Sequence, residues 1–254
     1  MPQEFDYLLI DISNSFTKIV PSSAKSLVDN IISIPTNEIN ERCLKDLSWN
    51  SDLSDFSVIL SSVVPKLNTK VESVFGKERI LEISNSVNIG CEIDYPEPQS
   101  IGADRLANAA AAVSLYEAPA VIVDFGTTVT FDIISAAKSY VGGVIAPGLA
   151  SMTDYMFDHT ALLPRIELNE PSSVIGKSTE EAMLSGAVIG YRGLVKEIIA
   201  SIMDELDESS VQVIATGGYA QLISSGLNEI NIVNDSLTLE GLRIIAGLNP
   251  YHES

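Results

Sequence analysis

The chain has 254 residues, enough to bury the core of one large or two medium domains. Its 34 acidic and 15 basic residues give a formal net charge of −19, which disfavours a nucleic-acid-binding surface. The two cysteines, Cys43 and Cys91, form no CxxC pair, and two histidines are too few for a zinc site. The sequence shows neither a leader-like start nor an apolar run of about 18 residues. We therefore expect a cytoplasmic protein with reduced thiols that binds neither nucleic acid nor membrane.

Strands and helices alternate in the first part of the sequence. Short apolar runs predict strands, and longer stretches with helical spacing of apolar residues predict helices. The predicted strands cover residues 8–11, 15–20, 26–34, 57–60 and 79–83, with a short one within 91–95, and the predicted helices cover residues 38–47 and 66–75. This alternation favours an α/β fold with crossover connections.

An alanine-rich helix follows, and it begins with Gly102, Ala103, Asp104 and Arg105. An aspartate in a first turn can simply complement the helix dipole. Alternatively, the glycine allows a ligand to approach closely, and an arginine beside a carboxylate suits an anionic substrate. The residues alone leave both interpretations open.

The stretch over residues 121–132 carries the clearest chemical pattern. An apolar run leads into Asp124, and a turn with one glycine and two threonines follows. Such a turn can hold phosphate and metal. The chain begins in nearly the same way, with Asp11 in the place of Asp124 and Thr17 in the place of Thr130. The two copies predict a duplicated architecture with a polyanion between the halves.

The rest of the chain continues the alternation. Strands are predicted over residues 140–146 and 211–215, and helices over 149–157, from about 178 past 203, from about 219, and over 238–248. In the long helix, Gly186, Gly190 and Gly193 indicate a kink or close packing against another helix, and we favour close packing. Gly217 and Gly218 follow a strand, where they let the backbone lie against a flat ring or a phosphate, although a glycine pair alone is weak evidence.

Seven short motifs, in this order and spacing, resemble the type III pantothenate kinase family, whose superfamily also contains hexokinase, actin and acetate kinase. They are DISNSFTK over residues 11–18, SSVVP over 61–65, GADRLANA over 102–109, VDFGTTVTFD over 123–132, GGVIAPG over 142–148, IGKST over 175–179 and ATGG over 215–218. The resemblance therefore covers nearly the whole chain.

The resemblance implies a duplicated actin/hexokinase-like (ribonuclease H-like) α/β fold. One half would cover residues 1–117 and the other residues 118–254, with ATP in the cleft. The implied reaction transfers the γ-phosphoryl group of ATP to pantothenate and gives 4'-phosphopantothenate, the first step of coenzyme A biosynthesis. The family also implies Mg²⁺, a monovalent cation (K⁺ or NH₄⁺) and a homodimer whose interface helps to build the pantothenate pocket.

The same resemblance assigns roles to individual residues. The first phosphate loop would comprise Asp11, Ile12, Ser13, Asn14, Ser15, Phe16, Thr17 and Lys18, with Asp11 close to Mg²⁺. Thr127 matches an ATP contact, Gly217 and Gly218 resemble the adenosine motif, and Asp124 matches the monovalent-cation position. The positions that match pantothenate contacts are Tyr95, Gly102, Ala103, Asp104 and Arg105, with Asp104 as the catalytic carboxylate. Thr179 matches a pantothenate contact at the dimer interface.

Two positions depart from the family pattern, and the departure at Ser13 matters because it adds a Cβ, whereas Ser15 keeps a hydroxyl. The family loop usually has glycine and threonine where this chain has Ser13 and Ser15. A glycine there would serve a positive φ or a close phosphate approach, so we expect Ser13→Gly to lower the Michaelis constant for ATP. The departure also motivates an alternative function, a catalytically weakened homologue that acts as a binding or regulatory accessory protein. A different small-molecule kinase of the superfamily would share the phosphate loops but not GADR together with IGKST.

Overall fold

The computed structural model describes residues 5–28, 31–46, 56–208 and 210–250. The first part of the chain forms β1 (Tyr7–Ile12), β2 (Phe16–Ser22), β3 (Ile32–Pro35), α1 (Glu41–Lys45), β4 (Ser57–Ser62), α2 (Pro65–Phe75), β5 (Ile80–Glu82), β6 (Glu92–Ile93) and α3 (Ala103–Leu115). The second part forms β7 (Ala120–Phe125), β8 (Thr128–Ile134), β9 (Ser139–Pro147), α4 (Leu149–His159), α5 (Thr179–Leu206), β10 (Gln212–Thr216), α6 (Ala220–Ser224), β11 (Ile232–Val233) and α7 (Leu237–Leu248).

The chain divides into two compact units, one of residues 1–116 with 236–254 and the other of residues 117–235. The first boundary lies close to the predicted division between residues 117 and 118. The C-terminal helix was predicted in the second half, whereas α7 belongs to the first unit. The cause of this difference is packing, because α7 lies against α3 and β1.

The first unit is built on a five-stranded sheet with the order β3-β2-β1-β4-β5. β1 pairs antiparallel with β2 and parallel with β4, and β5 continues the parallel part. The apolar runs of β1 and β4 are almost completely buried, which is typical of central strands with parallel neighbours. One face of this sheet forms a core with α1 and α2, to which Leu44, Leu67 and Val71 contribute.

Helices α3 and α7 approach each other closely within the first unit. A Cβ on Gly241 would collide with the backbone carbonyl of Ala107, so α7 fits against α3 only where both carry small residues. Thr238 Oγ1 donates a 2.8 Å hydrogen bond to Oδ1 of Asn108, which is fully buried. The alanine run of α3 is therefore explained by helix packing, and Asn108 serves the same interface.

The second unit repeats this sheet topology. Its strands lie in the order β9-β8-β7-β10-β11, with antiparallel pairing from β7 to β9 and parallel pairing from β7 to β11. Helix α5 contributes Val188, Tyr191 and Val195 to the core of this unit. The repeated topology agrees with the predicted duplication of an α/β half.

The register of the two hairpins corrects one predicted correspondence. Asp11 pairs with Lys18, and Asp124 pairs with Thr130. Thr130 therefore corresponds to Lys18 and not to Thr17, because the first turn is one residue longer than the second.

Three further predictions differ from the structure. The strand predicted over residues 26–34 is shorter: β3 covers Ile32–Pro35, Leu27 forms only an isolated bridge with Ser22, and residues 29 and 30 lie outside the described part. Helix α1 covers Glu41–Lys45 of the predicted 38–47, of which residue 47 is not described. The short strand β11 was not predicted.

The glycines of α5 do not pack closely. Among the described residues, a Cβ on Gly186, Gly190 or Gly193 would meet nothing within 4 Å, so the predicted close packing is wrong here. In the part of the chain that the structure describes, no helix is long and apolar enough to cross a membrane.

Candidate active site

Asp11 lies near the end of β1, opposite Ser61 on the parallel strand β4. The Asp11 side chain is buried, and its Oδ1 accepts a 2.8 Å hydrogen bond from Ser61 Oγ. Ser13 Oγ donates a longer bond, 3.4 Å, to Oδ2. Ligands of open α/β sheets usually bind at the carboxyl ends of parallel strands, so Asp11 occupies a suitable position for a metal and phosphate site.

The turn after Asp11 is held by its own backbone and by Thr36. Ser13 N donates to Phe16 O at 3.1 Å, and Thr36 Oγ1 donates to Ser13 O at 2.7 Å. Thr17 is fully buried, with its Oγ1 3.1 Å from Thr36 Oγ1, and Ile12 lies in the core. Any ligand contact of Thr17 or Ile12 would therefore involve the backbone, because both side chains are buried within the protein.

Ser13 does not need the backbone conformation that favours glycine. The described non-glycine residues with positive φ are Lys138 and Asp207, so Ser13 lies outside the left-handed region. The conformational reason for a glycine at this position does not hold in this chain. A closer approach of phosphate to glycine remains as the reason for the expected effect of Ser13→Gly.

Asp104 lies in the first turn of α3, whose N-cap is Gly102. Its Oδ1 accepts a 2.8 Å hydrogen bond from the Arg105 amide. A Cβ on Gly102 would lie 2.5 Å from this same oxygen, so the glycine leaves room for the carboxylate. Burial raises the pKa of Asp104, although the amide and the charge of Arg105 act in the opposite direction.

The N-terminus of α3 lies beside the strand ends that carry Asp11. Val63, just after β4, donates its amide to Ile12 O at 3.0 Å. The Cγ1 atom of Val63 is also 3.7 Å from the place of a Cβ on Gly102. Within the first unit, the structure thus brings the carboxylate predicted for Mg²⁺ and the carboxylate predicted for catalysis to the same end of the sheet.

The other predicted pantothenate positions of the first unit lie near the start of α3. Ala103 is buried as the first helical residue, and Arg105 is half-buried two residues later. Tyr95 is half-buried in the segment between β6 and α3.

Asp124 occupies the corresponding strand end in the second unit, opposite Thr216 of the parallel strand β10. Gly217 follows with a φ of +93°, and a Cβ there would lie 2.6 Å from Asp124 Oδ1 and 2.7 Å from the Phe125 backbone. Gly217 is therefore required for both its conformation and its size. A Cβ on Gly218 would meet no described residue within 4 Å, which leaves its backbone accessible.

Thr127 is exposed in the turn between β7 and β8, which a 3.0 Å bond from Gly126 N to Thr128 O closes. The Thr127 carbonyl accepts hydrogen bonds from Gly148 N at 3.2 Å and from Ser151 Oγ at 2.7 Å. Helix α4 thus begins directly against the turn that is predicted to contact ATP.

Thr179 is the exposed first residue of α5 and belongs to the second unit. The N-cap side chain of Ser178 accepts a 3.2 Å bond from Glu181 N, and Glu181 Oε2 accepts a 2.5 Å bond from Lys177 N. Thr179 is therefore well anchored, although the other predicted pantothenate positions belong to the first unit.

The carboxylates suit metals that bind together with a polyphosphate. Among the described residues, no group of three or more histidine, cysteine, aspartate or glutamate side chains could form an all-protein metal site. Mg²⁺ usually takes one or two carboxylates and completes its shell with phosphate oxygens and water. Asp11, with a hydroxyl bonded to each carboxylate oxygen, fits that donor set.

Three residues that shape the site were not predicted from the sequence as site residues: Ser61, Gly148 and Ser151. Ser61 and Gly148 lie in the motifs SSVVP and GGVIAPG, but a motif does not show which atoms face each other. The parallel pairing of β1 with β4 could have indicated Ser61, because both strands end in polar residues.

Comparison with known proteins supports a single family. A family model described as type III pantothenate kinase matches residues 7–201. A type III pantothenate kinase from Akkermansia muciniphila is 49% identical over 244 residues, which cover 96% of this chain and 99% of that protein. One from Methylacidiphilum infernorum is 45% identical over 241 residues, 94% of this chain and 87% of that protein.

The fold is also similar to that of a solved sugar kinase. The inorganic polyphosphate/ATP-glucomannokinase from Arthrobacter sp. strain KM aligns with a TM-score of 0.50 and 14% identity over 96% of this chain and 99% of its own. At that identity the likeness shows the fold alone, and it confirms the predicted actin/hexokinase-like class.

Proposed function

Since the chain belongs to the type III pantothenate kinase family, ATP-dependent kinases of coenzyme A biosynthesis, we propose that Asp104 is the residue that orients the primary hydroxyl of pantothenate for attack. The reaction transfers the γ-phosphoryl group of ATP to that hydroxyl and yields 4'-phosphopantothenate and ADP. The hydroxyl oxygen forms the new bond to phosphorus, the bond to the β-phosphate oxygen breaks, and Asp104 accepts the hydroxyl proton.

The position of Asp104 is the observation that carries this proposal. It lies at the N-terminus of α3, next to the strand ends that carry Asp11, and burial raises its pKa. Phosphoryl transfer is catalysed mainly by positioning and by neutralising charge. A carboxylate is a weak base for an alcohol, so its main contribution is to orient the hydroxyl. A raised pKa makes the carboxylate a better proton acceptor late in the transfer.

The substrate contacts follow from the charge and exposure of the neighbouring residues. Arg105 holds the pantothenate carboxylate or the moving phosphoryl group, since a guanidinium binds planar anions through two donors. Gly102, Ala103 and Tyr95 contribute to the same pocket, and Thr179 supplies a pantothenate contact at the homodimer interface.

The nucleotide contacts lie in the two duplicated turns and in the Gly217–Gly218 segment after β10. The Asp11 turn contacts the β- and γ-phosphates, and Asp11 would hold Mg²⁺, which would neutralise charge on the phosphates. Asn14, Ser15, Phe16 and Lys18 present the accessible side chains of that turn. In the second unit, Thr127, Gly217 and Gly218 contact ATP.

Asp124 is assigned to the monovalent cation, K⁺ or NH₄⁺. Its carboxylate lies against the Gly217 backbone, at the end of β7. A carboxylate at a strand end can supply an oxygen ligand to a monovalent cation. The two related aspartates would then serve different ions.

A homodimer is supported by the apolar surface of the second unit. Ile145, Tyr155, Val174 and Ile175 are 60% to 72% exposed, which is unusual for large apolar side chains. The glycines of α5 leave a second accessible surface. A second copy of the chain would cover these surfaces. A cytoplasmic location agrees with a chain that has two cysteines and no CxxC pair.

The direct test is a coupled assay of ADP release with purified protein. We expect ADP release that requires both pantothenate and K⁺ or NH₄⁺, and Asp104→Asn should lower turnover at saturating substrates by about 10²-fold or more. Asp46→Asn, a change of an exposed carboxylate in the same unit, serves as the control. Near wild-type turnover of Asp104→Asn would refute the role of Asp104, and ligand binding without turnover in the wild type would instead indicate an accessory protein.

A further inference from the structure

The turn that carries Thr127 is fixed from outside by the start of α4. The Thr127 carbonyl accepts two hydrogen bonds from that helix, one from Gly148 N at 3.2 Å and one from Ser151 Oγ at 2.7 Å. A Cβ on Gly148 would overlap the carbonyls of Thr127 and Gly126, so the helix start touches the turn directly. The backbone of Gly148 has φ −70° and ψ 158°, which any residue can adopt. Gly148 is therefore a glycine for reasons of space.

The start of α4 is in turn held by Tyr191 of α5. Tyr191 is buried, and its hydroxyl donates to Pro147 O at 3.1 Å, immediately before Gly148. The phenol oxygen also has a hydrogen bond to the Leu149 backbone, and burial raises the pKa of Tyr191 well above its ordinary value. The hydroxyl consequently stays protonated and remains a hydrogen-bond donor to Pro147 O. The Tyr191 ring lies 6.4 Å from the ring of Phe125, the residue after Asp124.

We propose that Ser151 and Tyr191 are positioning residues of the ATP site, which hold the turn of residues 126–128 in its binding conformation. Ser151 acts through its bond to the Thr127 carbonyl, and Tyr191 acts through the Pro147–Gly148 segment. This inference rests on the proposed contact of Thr127 with ATP. Neither residue needs to touch the nucleotide, because Ser151 binds the Thr127 carbonyl and Tyr191 binds the Pro147 carbonyl.

The physical basis is preorganisation of an exposed turn. A turn on the protein surface loses conformational entropy when a ligand fixes it, and contacts that fix it beforehand lower this cost. Gly148 and Ser151 bind the Thr127 carbonyl, and Tyr191 of α5 binds Pro147, which precedes Gly148. The turn is thereby connected to α5, whose buried face belongs to the core. Without them, the turn would sample more conformations and bind the nucleotide less tightly.

The test measures nucleotide binding separately from the phosphorylation of pantothenate. We suggest titrating the full chain with Mg²⁺ and a non-hydrolysable ATP analogue by calorimetry, and measuring the Michaelis constants for ATP and pantothenate in the coupled assay. Ser151→Ala and Tyr191→Phe should each weaken analogue binding and raise the Michaelis constant for ATP roughly three- to tenfold, the usual effect of one lost hydrogen bond. The constant for pantothenate should stay within twofold, and Ser151→Thr should restore binding.

Thr160→Ala is a matched control on the same helix. Thr160 Oγ1 also donates to one backbone carbonyl, Met156 O at 2.8 Å, but at the other end of α4. Unchanged analogue affinity in Ser151→Ala and Tyr191→Phe, or an equal loss in Thr160→Ala, would overturn the proposal, as would a wild type that does not bind the analogue. A wild type that binds the analogue but does not phosphorylate pantothenate would refute the proposed function, while the binding data would still decide the role of Ser151 and Tyr191.

Discussion

Ser61 Oγ donates a 2.8 Å hydrogen bond to Oδ1 of Asp11 from the same register position of the neighbouring parallel strand. The second unit has the same arrangement of residue types, with Asp124 of β7 opposite Thr216 of β10. Ser61 and Thr216 are both buried, so each unit places a hydroxyl residue beside its strand-end carboxylate. The duplication therefore includes the parallel neighbour of each aspartate as well as the hairpin that carries it.

Ser61→Ala should weaken the proposed Mg²⁺ site at Asp11. The change removes a 2.8 Å hydrogen bond from a hydroxyl to a buried carboxylate, which typically costs about 1–3 kcal/mol. We expect the Mg²⁺ concentration for half-maximal activity to rise several-fold in the coupled assay, with a smaller effect on the constant for pantothenate. Ser57→Ala, at the opposite end of the same strand, is the control. An unchanged Mg²⁺ requirement in Ser61→Ala would show that Ser61 does not orient Asp11.

Asp104→Asn should lower activity but should not lower stability at pH 7. Burial raises the folded-state pKa of Asp104 above its usual value of about 3.9, so ionisation is more costly in the folded state. Protonation of Asp104 therefore contributes to the stability of the folded state. This contribution is complete below the pKa of the unfolded state and is lost as pH rises through the pKa of the folded state. At pH 7 the asparagine variant should therefore be as stable as the wild type or more stable.

Thermal unfolding at several pH values measures this effect. We expect the melting temperature of Asp104→Asn, relative to the wild type, to be higher at pH 7 than at pH 4. A relative melting temperature that falls over the same range would mean that the folded state stabilises the charged form of Asp104.

Gly241→Ala should destabilise the first unit. A Cβ on Gly241 would overlap the Ala107 carbonyl, so α7 would have to move away from α3. Overpacking of this kind typically costs about 1–3 kcal/mol. Gly247→Ala is a matched control on the same helix, because a Cβ there would meet no described residue within 4 Å. Chemical denaturation of both variants compares the two costs, and equal stabilities would show that α7 can shift at little cost.

Local patterns were enough to predict most elements and the strand ends at the site. The apolar runs before Asp11 and Asp124 identify buried strands, because a strand with parallel neighbours is covered on both faces. The carboxylate that ends each run marks the edge where ligands bind. The start of α3 at Gly102 could also be predicted, because helix starts have a local residue signature.

Contacts between distant segments could not be predicted from the sequence. The membership of α7 in the first unit depends on the fit of Gly241 to Ala107, and no local pattern in α7 shows its partner. The glycines of α5 suggested packing, yet the described residues around Gly186 leave open space. The pairing of Asp11 with Lys18 depends on the length of one turn, which shifts the register by one residue.

Gly217→Ala should impair the Asp124 site in the second unit. Gly217 has a φ of +93°, and a Cβ would lie 2.6 Å from Asp124 Oδ1, so alanine is disfavoured by conformation and by space. The carboxylate would have to move, which should raise the K⁺ concentration for half-maximal activity several-fold and lower the melting temperature. Gly247→Ala controls for the added methyl group. If a K⁺ titration of Gly217→Ala at saturating substrates matches the wild type while its melting temperature falls, Asp124 does not hold the monovalent cation, because a displaced ligand would change the affinity.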